Sequence, residues 1–250
     1  MLKSIFISGR EVNYPRNELM VSAIQSISQA TVIGSYNAKI YKGGVFSILW
    51  QSLVGFLQLI PRMIRKDFDF IFVGFFGQLL TQMIASFVKK PIILDMFVSA
   101  FDTLVEDRNI THNKSLLSRY LFALDKQSGK RAKLIFVDTN AQAEYYHNTF
   151  EISLDKMKRV FVGCDEVLFH PLPEKPKSCI VLYYCSYLPL HGVDVVVEAA
   201  KLLQAESSIR FKIIGRGTEF GKIQRLVQEK QVNNVELAAP VAVEQLPLEI

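Results

Sequence analysis

The sequence predicts an α/β protein with two domains, each built on a parallel sheet. Short and continuously apolar runs alternate with helical segments along the chain, which is typical of strands that are buried on both faces of a parallel sheet. Half of the 250 residues are apolar and 21% are charged, so the chain can bury a large core. Three prolines, Pro171, Pro173 and Pro176, separate two such alternating series and indicate a domain boundary.

The first predicted domain covers residues 1–172. Its strands are predicted at Ser4–Ser8, Thr31–Ile33, Asp69–Phe75, Pro91–Leu94, Leu134–Val137 and Arg159–Val162. Its helices are predicted at Glu18–Ser28, Phe46–Lys66, Gly77–Val88, Leu116–Lys130 and Asn140–Phe150. The polar stretch between Asp95 and Leu116 predicts a mobile connection.

A linker is predicted at residues 173–178, and the second domain at residues 179–250. The first strand of that domain begins at Cys179, and a loop with Pro189, His191 and Gly192 follows it. The remaining elements are predicted as helix Val195–Leu203, strand Arg210–Ile214, helix Glu219–Glu229 and strand Val235–Ala238. These elements make a smaller sheet than the first, so we expect the second domain to be incomplete.

The segment Phe46–Lys66 is long and apolar, but its pattern is that of an amphipathic helix. Polar or small residues recur at steps of three or four, at Ser47, Gln51, Gly55, Gln58, Arg62 and Arg65. The opposite face carries Phe46, Leu49, Trp50, Leu53, Leu57 and Ile60. We therefore expect a surface helix rather than a membrane span. Its apolar face either packs on the first sheet or contacts an anionic membrane, because cations cluster at its end.

Several classes of protein fit the sequence poorly. The net charge of +5 is modest, and no basic run is interleaved with aromatic residues, so we expect no nucleic-acid partner. A nicotinamide-dependent oxidoreductase carries Gly-x-Gly-x-x-Gly after its first strand, where this chain has only Gly9. Three cysteines without metal-ligand spacing, and an N-terminus without a secretory signal, predict a cytoplasmic protein. The histidines His112, His147 and His170 have no spacing that predicts a metal site.

Several segments in the two predicted domains carry motifs at the ends of predicted strands and in the loops between elements. They are Tyr14–Asn17, Ile93–Asp95, Phe136–Thr139, Val162–Glu166, Tyr184–Asp194, Ile213–Gly217, Asn234–Leu237 and Glu244–Pro247. These segments resemble those of family 4 glycosyltransferases, and they occur in the same order as in that family. The resemblance implies the GT-B fold, in which both domains are Rossmann-like. It also implies transfer of a sugar, with retention, from a nucleotide sugar to a glycan or lipid-linked acceptor. No metal or other cofactor is implied, and the expected setting is polysaccharide or glycan biosynthesis at the inner face of the membrane.

On the donor side, the resemblance assigns the diphosphate to Ser186, His191 and Gly192. The family commonly has basic residues where this chain has Ser186 and His191, although both side chains can donate hydrogen bonds to phosphate. The helix that follows them adds backbone N–H groups and a positive dipole end. His191 has a plain alternative as a cap of that helix. Gly215 and Gly217 either approach the nucleotide base or simply turn the chain.

On the acceptor side, Asp95 and Asp102 are the candidate catalytic residues. Asp95 ends a predicted strand, where a carboxylate points into the ligand crevice of a parallel sheet. Arg16, Asn17 and Asp138 are the candidate acceptor-binding residues. Two alternatives remain open here. Asp102 fits local loop capping equally well. The segment Asp138-Thr139 fits the N-cap of the next helix, which is the role that we favour for Thr139.

The family carries a pair of glutamates, separated by seven residues, that contacts the donor. In this chain that pair would lie beyond Ile250. We therefore expect the sequence to be a truncated form of a longer enzyme. The alternative function is a non-catalytic, glycosyltransferase-like subunit or scaffold.

Overall fold

A computed structural model describes residues 1–37, 45–171 and 179–250. It contains two compact units, Met1–Gly163 and Cys164–Ile250, and each unit has its own sheet. The predicted linker at residues 173–178 and the predicted domain end at residue 172 lie outside the described residues. Both units have the parallel α/β architecture that the sequence predicts.

The larger unit is a parallel sheet with the strand order β2-β1-β3-β4-β5-β6. Its strands are β1 (Leu2–Ser8), β2 (Ser28–Ile33), β3 (Phe70–Gly74), β4 (Ile92–Asp95), β5 (Leu134–Val137) and β6 (Met157–Arg159). The strand order changes direction between β1 and β3. In sheets of this kind, ligands bind outside the carboxyl ends of the strands at such a switch point.

Helices connect these strands and cover the sheet. They are α1 (Pro15–Ile27), α2 (Val45–Arg65), α3 (Gln78–Ala85), α4 (Leu116–Arg131) and α5 (Asn140–Phe150). The central strands are continuously apolar because both of their faces are covered. Ile7, Val73 and Leu94 are fully buried on one face, and Phe6 stacks on Phe72 on the other, with ring centroids 5.7 Å apart.

Several predicted segments of this unit are wrong in detail, among them α1, which begins at Pro15 and ends before Ser28, strand β6, and the connection after β4. Strand β6 lies at Met157–Arg159 rather than at Arg159–Val162, because β5 ends at Val137 and its carbonyl accepts the N–H of Val160 at the end of the ladder. The connection after Asp95 is not a simple mobile loop, since it contains a π-helical segment at Asp102–Asp107. Two apolar side chains of that segment are buried against α4, which explains why it folds.

Helix α2 packs on the sheet with a face other than the predicted apolar one. Ser52, Gly55 and Leu59 are buried, and a Cβ at Gly55 would lie 3.3 Å from the Ile7 side chain. Small residues let the helix approach β1 closely, so the apolar face of larger residues points away from the sheet. Five of its members, Phe46, Leu49, Trp50, Leu53 and Leu57, are between 40% and 76% exposed.

By length and mean hydropathy, the segment Phe46–Arg65 is also the one helix among the described residues that could cross a membrane. Leu59 is completely buried in the same core cluster as Ile5 and Ile7 of β1. These contacts favour a helix that lies on the sheet surface, as the sequence predicts.

The smaller unit has three parallel strands in the order β7-β8-β9. The elements are β7 (Cys179–Cys185), α6 (Val193–Leu202), β8 (Ile209–Gly215), α7 (Phe220–Glu229) and β9 (Val235–Ala238). The two helices pack on one face, where Val197, Ile213 and Ile223 are at most 1% exposed. The carboxyl ends of β7 and β8 therefore lie side by side, and the loops that follow them share one edge of the sheet.

Candidate functional site

The loops after β1 and β3 are joined at the switch point of the larger sheet. The N–H of Gly9 donates to the carbonyl of Phe75 at 3.1 Å. Asn17 completes the junction, because its Oδ1 accepts from the N–H of Phe75 at 3.0 Å and its Nδ2 donates to the carbonyl of Glu11 at 2.8 Å. Asn17 is fully buried, so its amide group holds the two loops together. Its predicted contact with an acceptor stays a prediction.

Arg16 and Asp95, both predicted site residues, form a buried ion pair. The guanidinium Nε and Nη2 donate to the two carboxylate oxygens at 2.8 and 2.9 Å, and its Nη2 also reaches the carbonyl of Val160 at 3.3 Å. The guanidinium lies 4.6 Å from the ring centroid of Phe97. Burial raises the pKa of Asp95, and the Arg16 guanidinium opposes that rise. The two hydrogen bonds from Arg16 fix the direction of the Asp95 carboxylate.

Asp138 lies next to this pair at the carboxyl end of β5. Its Oδ1 accepts the N–H of Val162 at 3.1 Å, and its own N–H donates to Oε1 of Gln142 at 2.7 Å. Gln142 also donates to the carbonyl of Phe97 at 2.8 Å, so it ties the ends of β4 and β5 together. Thr139 accepts the N–H of Gln142 with its hydroxyl, which confirms the predicted helix cap. The sequence gave no signal for Gln142, because a glutamine in a first helical turn is ordinary.

Asp102 is held separately, at the start of the π-helical segment. Its Oδ1 accepts the hydroxyl of Tyr145 on α5 at 2.8 Å. Burial, followed by this hydrogen bond, raises the pKa of Tyr145 to about 12. The side chain of Asp102 therefore contacts α5 rather than capping its own segment.

A buried carboxylate that sequence reasoning missed, Asp125, lies below that segment. It is fully buried on α4 and accepts from the hydroxyl of Ser99 at 2.8 Å and the N–H groups of Ala100 and Phe101 at 3.0 and 2.7 Å. Burial raises the pKa of Asp125 to about 6, against the effect of these three donors. Asp125 thus satisfies the first N–H groups of the segment that carries Asp102.

In the smaller unit, the loops after β7 and β8 are in backbone contact. A Cβ at Gly215 would lie 1.9 Å from the carbonyl oxygen of Cys185, and one at Gly217 would lie 1.7 Å from that of Ser186. Gly215 also has a φ of +144°, a backbone conformation that residues with a Cβ atom rarely adopt. These contacts show that both glycines shape the chain, and the choice between the two predicted alternatives stays open. Their approach to a nucleotide base stays a prediction.

The loop after β7 leads directly into α6. Gly192 has a φ of +58° and is the N-cap residue, and no side chain caps the helix. His191 therefore does not cap α6. Its Nδ1 is buried without a hydrogen-bond partner, while its carbonyl accepts the Tyr183 hydroxyl. The exposed Ser186 lies at the other end of the same loop. The uncapped N–H groups and the His191 ring are groups that can bind an anion.

Arg216 is a cation at this edge that sequence reasoning did not select. Its Nη1 donates to the carbonyl of Gly215 at 3.0 Å, and its guanidinium lies 3.9 Å from the ring centroid of Phe220. It stands between the two glycines that contact the loop after β7. Arg216 could have been found in the sequence, because it lies in a Gly-Arg-Gly segment directly after a predicted strand. It was missed because the resemblance places the basic residues of the family at the positions of Ser186 and His191.

No protein-family model matches this chain, and no curated protein matches it. Solved structures do. Anabaena HepE, in complex with UDP and glucose, matches with a TM-score of 0.65 at 14% identity, over 98% of this chain and 72% of HepE. The lipopolysaccharide outer core galactosyltransferase WaaB matches with a TM-score of 0.62 at 13% identity, over 99% of this chain and 71% of WaaB. TarM of S. aureus, in complex with Fondaparinux, alpha-GlcNAc-glycerol and UDP, matches with a TM-score of 0.51 at 16% identity.

The chain spans 37% of the length of TarM and about seven-tenths of HepE and WaaB. At these identities the likeness concerns the fold. It confirms the predicted class of two Rossmann-like, parallel-sheet domains. The chain therefore has the fold of the GT-B glycosyltransferases.

Proposed function

We propose that this protein is a glycosyltransferase that moves a sugar from a nucleotide sugar to a glycan or lipid-linked acceptor. The observation that carries the proposal is the pair of loops after β7 and β8, which meet beside the uncapped start of α6. Loops at such an edge of a parallel sheet, next to the free N–H groups of a helix start, can bind the phosphates of a nucleoside diphosphate. The matched HepE structure, which contains UDP and glucose, supports this choice of donor class.

At the donor end, the departing diphosphate gains negative charge as the sugar leaves. The hydroxyl of Ser186, the ring of His191 and the first N–H groups of α6 would stabilise that charge, and the Arg216 guanidinium would add a positive charge nearby. Gly192, Gly215 and Gly217 would let the backbone come close to the donor. These groups are fixed before the reaction, so they need little reorganisation in the transition state.

At the acceptor end, the carboxylates of Asp102 and Asp138 are partly exposed to solvent, whereas Asp95 is buried and paired with Arg16. We propose that Asp102 and Asp138 bind acceptor hydroxyls, while the pair of Arg16 and Asp95 keeps this edge in shape. Retention of the anomeric configuration and transfer without a metal ion are part of the proposal, and they rest on the resemblance to family 4.

A peripheral contact with the inner face of the membrane is part of the same proposal. The exposed apolar face of α2 supports it, with Arg65 and Lys66 exposed at the end of the helix. Such a contact would bring the protein to lipid-linked acceptors of polysaccharide or glycan biosynthesis.

The test is a transfer assay with radiolabelled UDP-glucose, UDP-galactose, UDP-GlcNAc and GDP-mannose, each offered with a membrane lipid extract. We expect one donor to be consumed and its label to appear in the lipid fraction. His191→Ala should slow this transfer of label. Binding of a nucleotide without turnover of any donor would contradict the enzyme assignment and favour the non-catalytic subunit.

A further inference from the structure

Asp125 is a buried carboxylate that the proposed mechanism does not use. It lies on α4, and its hydrogen-bond donors are neutral groups, namely the hydroxyl of Ser99 and the N–H groups of Ala100 and Phe101. Burying a charge is costly, and burial raises the pKa of Asp125 to about 6. Carboxyl groups perturbed in this way are common at functional sites. All three donors belong to the chain segment that leads to Asp102, so Asp125 can act on that residue.

Ser99 connects Asp125 to the backbone of Asp102. Its Oγ donates to Oδ2 of Asp125 at 2.8 Å and accepts the N–H of Asp102 at 2.9 Å. At neutral pH the ionised carboxylate cannot donate, so the single hydrogen of the Ser99 hydroxyl must point to Asp125. The lone pairs of Ser99 then face the N–H of Asp102, and each of the two hydrogen bonds strengthens the other. Asp125 therefore fixes the backbone at the start of the π-helical segment.

The side chain of Asp102 is fixed by a second contact. Its Oδ1 accepts the hydroxyl of Tyr145 on α5 at 2.8 Å. Tyr145 is 43% exposed and Asp102 is half-buried, so solvent reaches both residues. The phenol oxygen can accept one more hydrogen bond and the carboxylate several, which suits the hydroxyl groups of a sugar. Asp102 and Tyr145 therefore form a pair of hydrogen-bonding groups that is open to solvent.

Helix α4 also holds the π-helical segment through an apolar contact. Leu104 and Val105 of the segment are 4% and 2% exposed, and they belong to one buried cluster with Leu121 of α4. Leu121 and Asp125 are four residues apart, so they lie on the same face of the helix. One face of α4 thus supplies both an apolar and a polar contact. Together these contacts fix the position of the segment that carries Asp102.

We propose that Asp125 and Ser99 are positioning residues, which hold Asp102 and Tyr145 where they bind the hydroxyl groups of the acceptor. The proposal rests on the proposed glycosyltransferase function and assigns a further contact residue, Tyr145, to its acceptor. Asp125 and Ser99 do not touch the acceptor and act through Asp102. Loss of either positioning residue should therefore weaken acceptor binding and leave donor binding unchanged.

Amide hydrogen exchange of the full chain, measured at single residues by NMR, tests the contact with Asp102. Ser99→Ala removes the group that accepts the Asp102 N–H, so this amide should exchange roughly tenfold faster. Ser118→Ala is the matched control on α4, because it also removes a buried serine hydroxyl, one that donates to the carbonyl of Asn113 at 2.6 Å. It should leave the exchange of Asp102 unchanged. Equal exchange of this amide in Ser99→Ala and the natural chain would overturn the proposal.

Kinetics separate acceptor binding from donor binding. Transfer is measured against the concentration of the membrane lipid extract at saturating donor, and against the donor at saturating extract. Ser99→Ala, Asp125→Asn and Tyr145→Phe should each raise the half-saturating extract concentration about fivefold and leave the donor KM unchanged. Ser99→Ala and Asp125→Asn combined should raise it by less than the product of their single effects, because both act through the N–H of Asp102. A purely structural role would reduce the amount of folded enzyme and would move neither half-saturating concentration.

Donor consumption by the natural chain reports on the proposed function alone. If donor is consumed and Ser99→Ala keeps the natural half-saturating extract concentration, or changes it no more than Ser118→Ala does, the positioning role is overturned and the transferase assignment stands. If no donor is consumed, the proposed function fails, and a role in positioning an acceptor-binding group is overturned with it.

Discussion

Arg16 at the start of α1 holds both carboxylate oxygens of Asp95 at the end of β4, although 79 residues separate them along the chain. Their side chains are 5% and 0% exposed. The pair therefore joins two loop regions at the carboxyl edge of the larger sheet. If the pair shapes this edge, its loss should lower the free energy of unfolding. If Asp95 instead contacts the substrate, its loss should lower activity and leave stability little changed.

We expect Asp95→Asn to lower the free energy of unfolding by about 3–5 kcal/mol, because it leaves the Arg16 charge buried without its partner. Urea unfolding followed by circular dichroism measures this. Asp107→Asn, at an exposed carboxylate, is the control and should change stability little. A stable Asp95→Asn that had lost only activity would contradict the shaping role and support a catalytic one.

Asp125 should make stability depend on pH. Its pKa is raised to about 6 in the folded protein, while an aspartate in the unfolded chain titrates near pH 3.9. Between about pH 4 and pH 6 the folded state therefore binds more protons than the unfolded state, and stability falls as the pH rises. Relative to Asp125→Asn, which has no charge to bury, the natural chain should lose about 2–3 kcal/mol across this window.

Urea unfolding at pH 4, 5, 6 and 7 measures that difference. Asp125→Asn should be less stable than the natural chain at pH 4, because its amide nitrogen cannot accept a hydrogen bond, whereas both side-chain oxygens of Asp125 do. A difference that stays constant with pH, or that changes in the opposite direction, would contradict the assignment.

The contact between the loops after β7 and β8 depends on glycine. Gly215→Ala and Gly217→Ala would each place a Cβ within 2 Å of a carbonyl oxygen, so we expect each to lose about 1–3 kcal/mol or more. Gly221→Ala is the matched control, since nothing lies within 4 Å of its added Cβ and alanine favours a helix by about 1 kcal/mol. Equal stability of the three variants would show that the loops do not pack as described.

The exposed face of α2 can be followed through Trp50, the one tryptophan of the sequence. We expect its fluorescence to shift to shorter wavelength with phosphatidylglycerol vesicles, less so with phosphatidylcholine, and less again at high salt. Leu53→Asp and Leu57→Asp should abolish the shift. Leu202→Asp, at an exposed leucine of α6, should leave it unchanged. An unchanged Trp50 spectrum with anionic vesicles would contradict the proposed membrane contact.

The sequence predicted the elements whose pattern is local. Leu134–Val137, Asn140–Phe150 and Val235–Ala238 are found with the predicted boundaries, because their apolar periods and caps are complete within a few residues. The packing face of α2 was not predictable in this way. The helix packs through small residues, Ser52 and Gly55, which its apolar period does not single out and which let it approach the sheet.

The sequence predicted which positions belong to the candidate site, but it did not predict which side chains contact each other there. Asp95 and Asp138 end strands, and strand ends can be recognised in a sequence. The partners Arg16 and Gln142 depend on which strands are neighbours, which the apolar pattern does not specify. Asp125 was missed for a similar reason, since a single aspartate within a helix is usually exposed and this one is buried beneath a distant segment.

The most direct test of the account is the thermal unfolding of the protein with UDP, GDP and NAD. A nucleotide diphosphate at 100 times its dissociation constant should stabilise the folded state by about 2.7 kcal/mol. His191→Ala should weaken that binding by about tenfold, while His170→Ala, at an exposed histidine, should not. Stabilisation by one nucleotide diphosphate that depends on His191 is the predicted result. No stabilisation by UDP or GDP, or stabilisation by NAD alone, would contradict the proposed donor site.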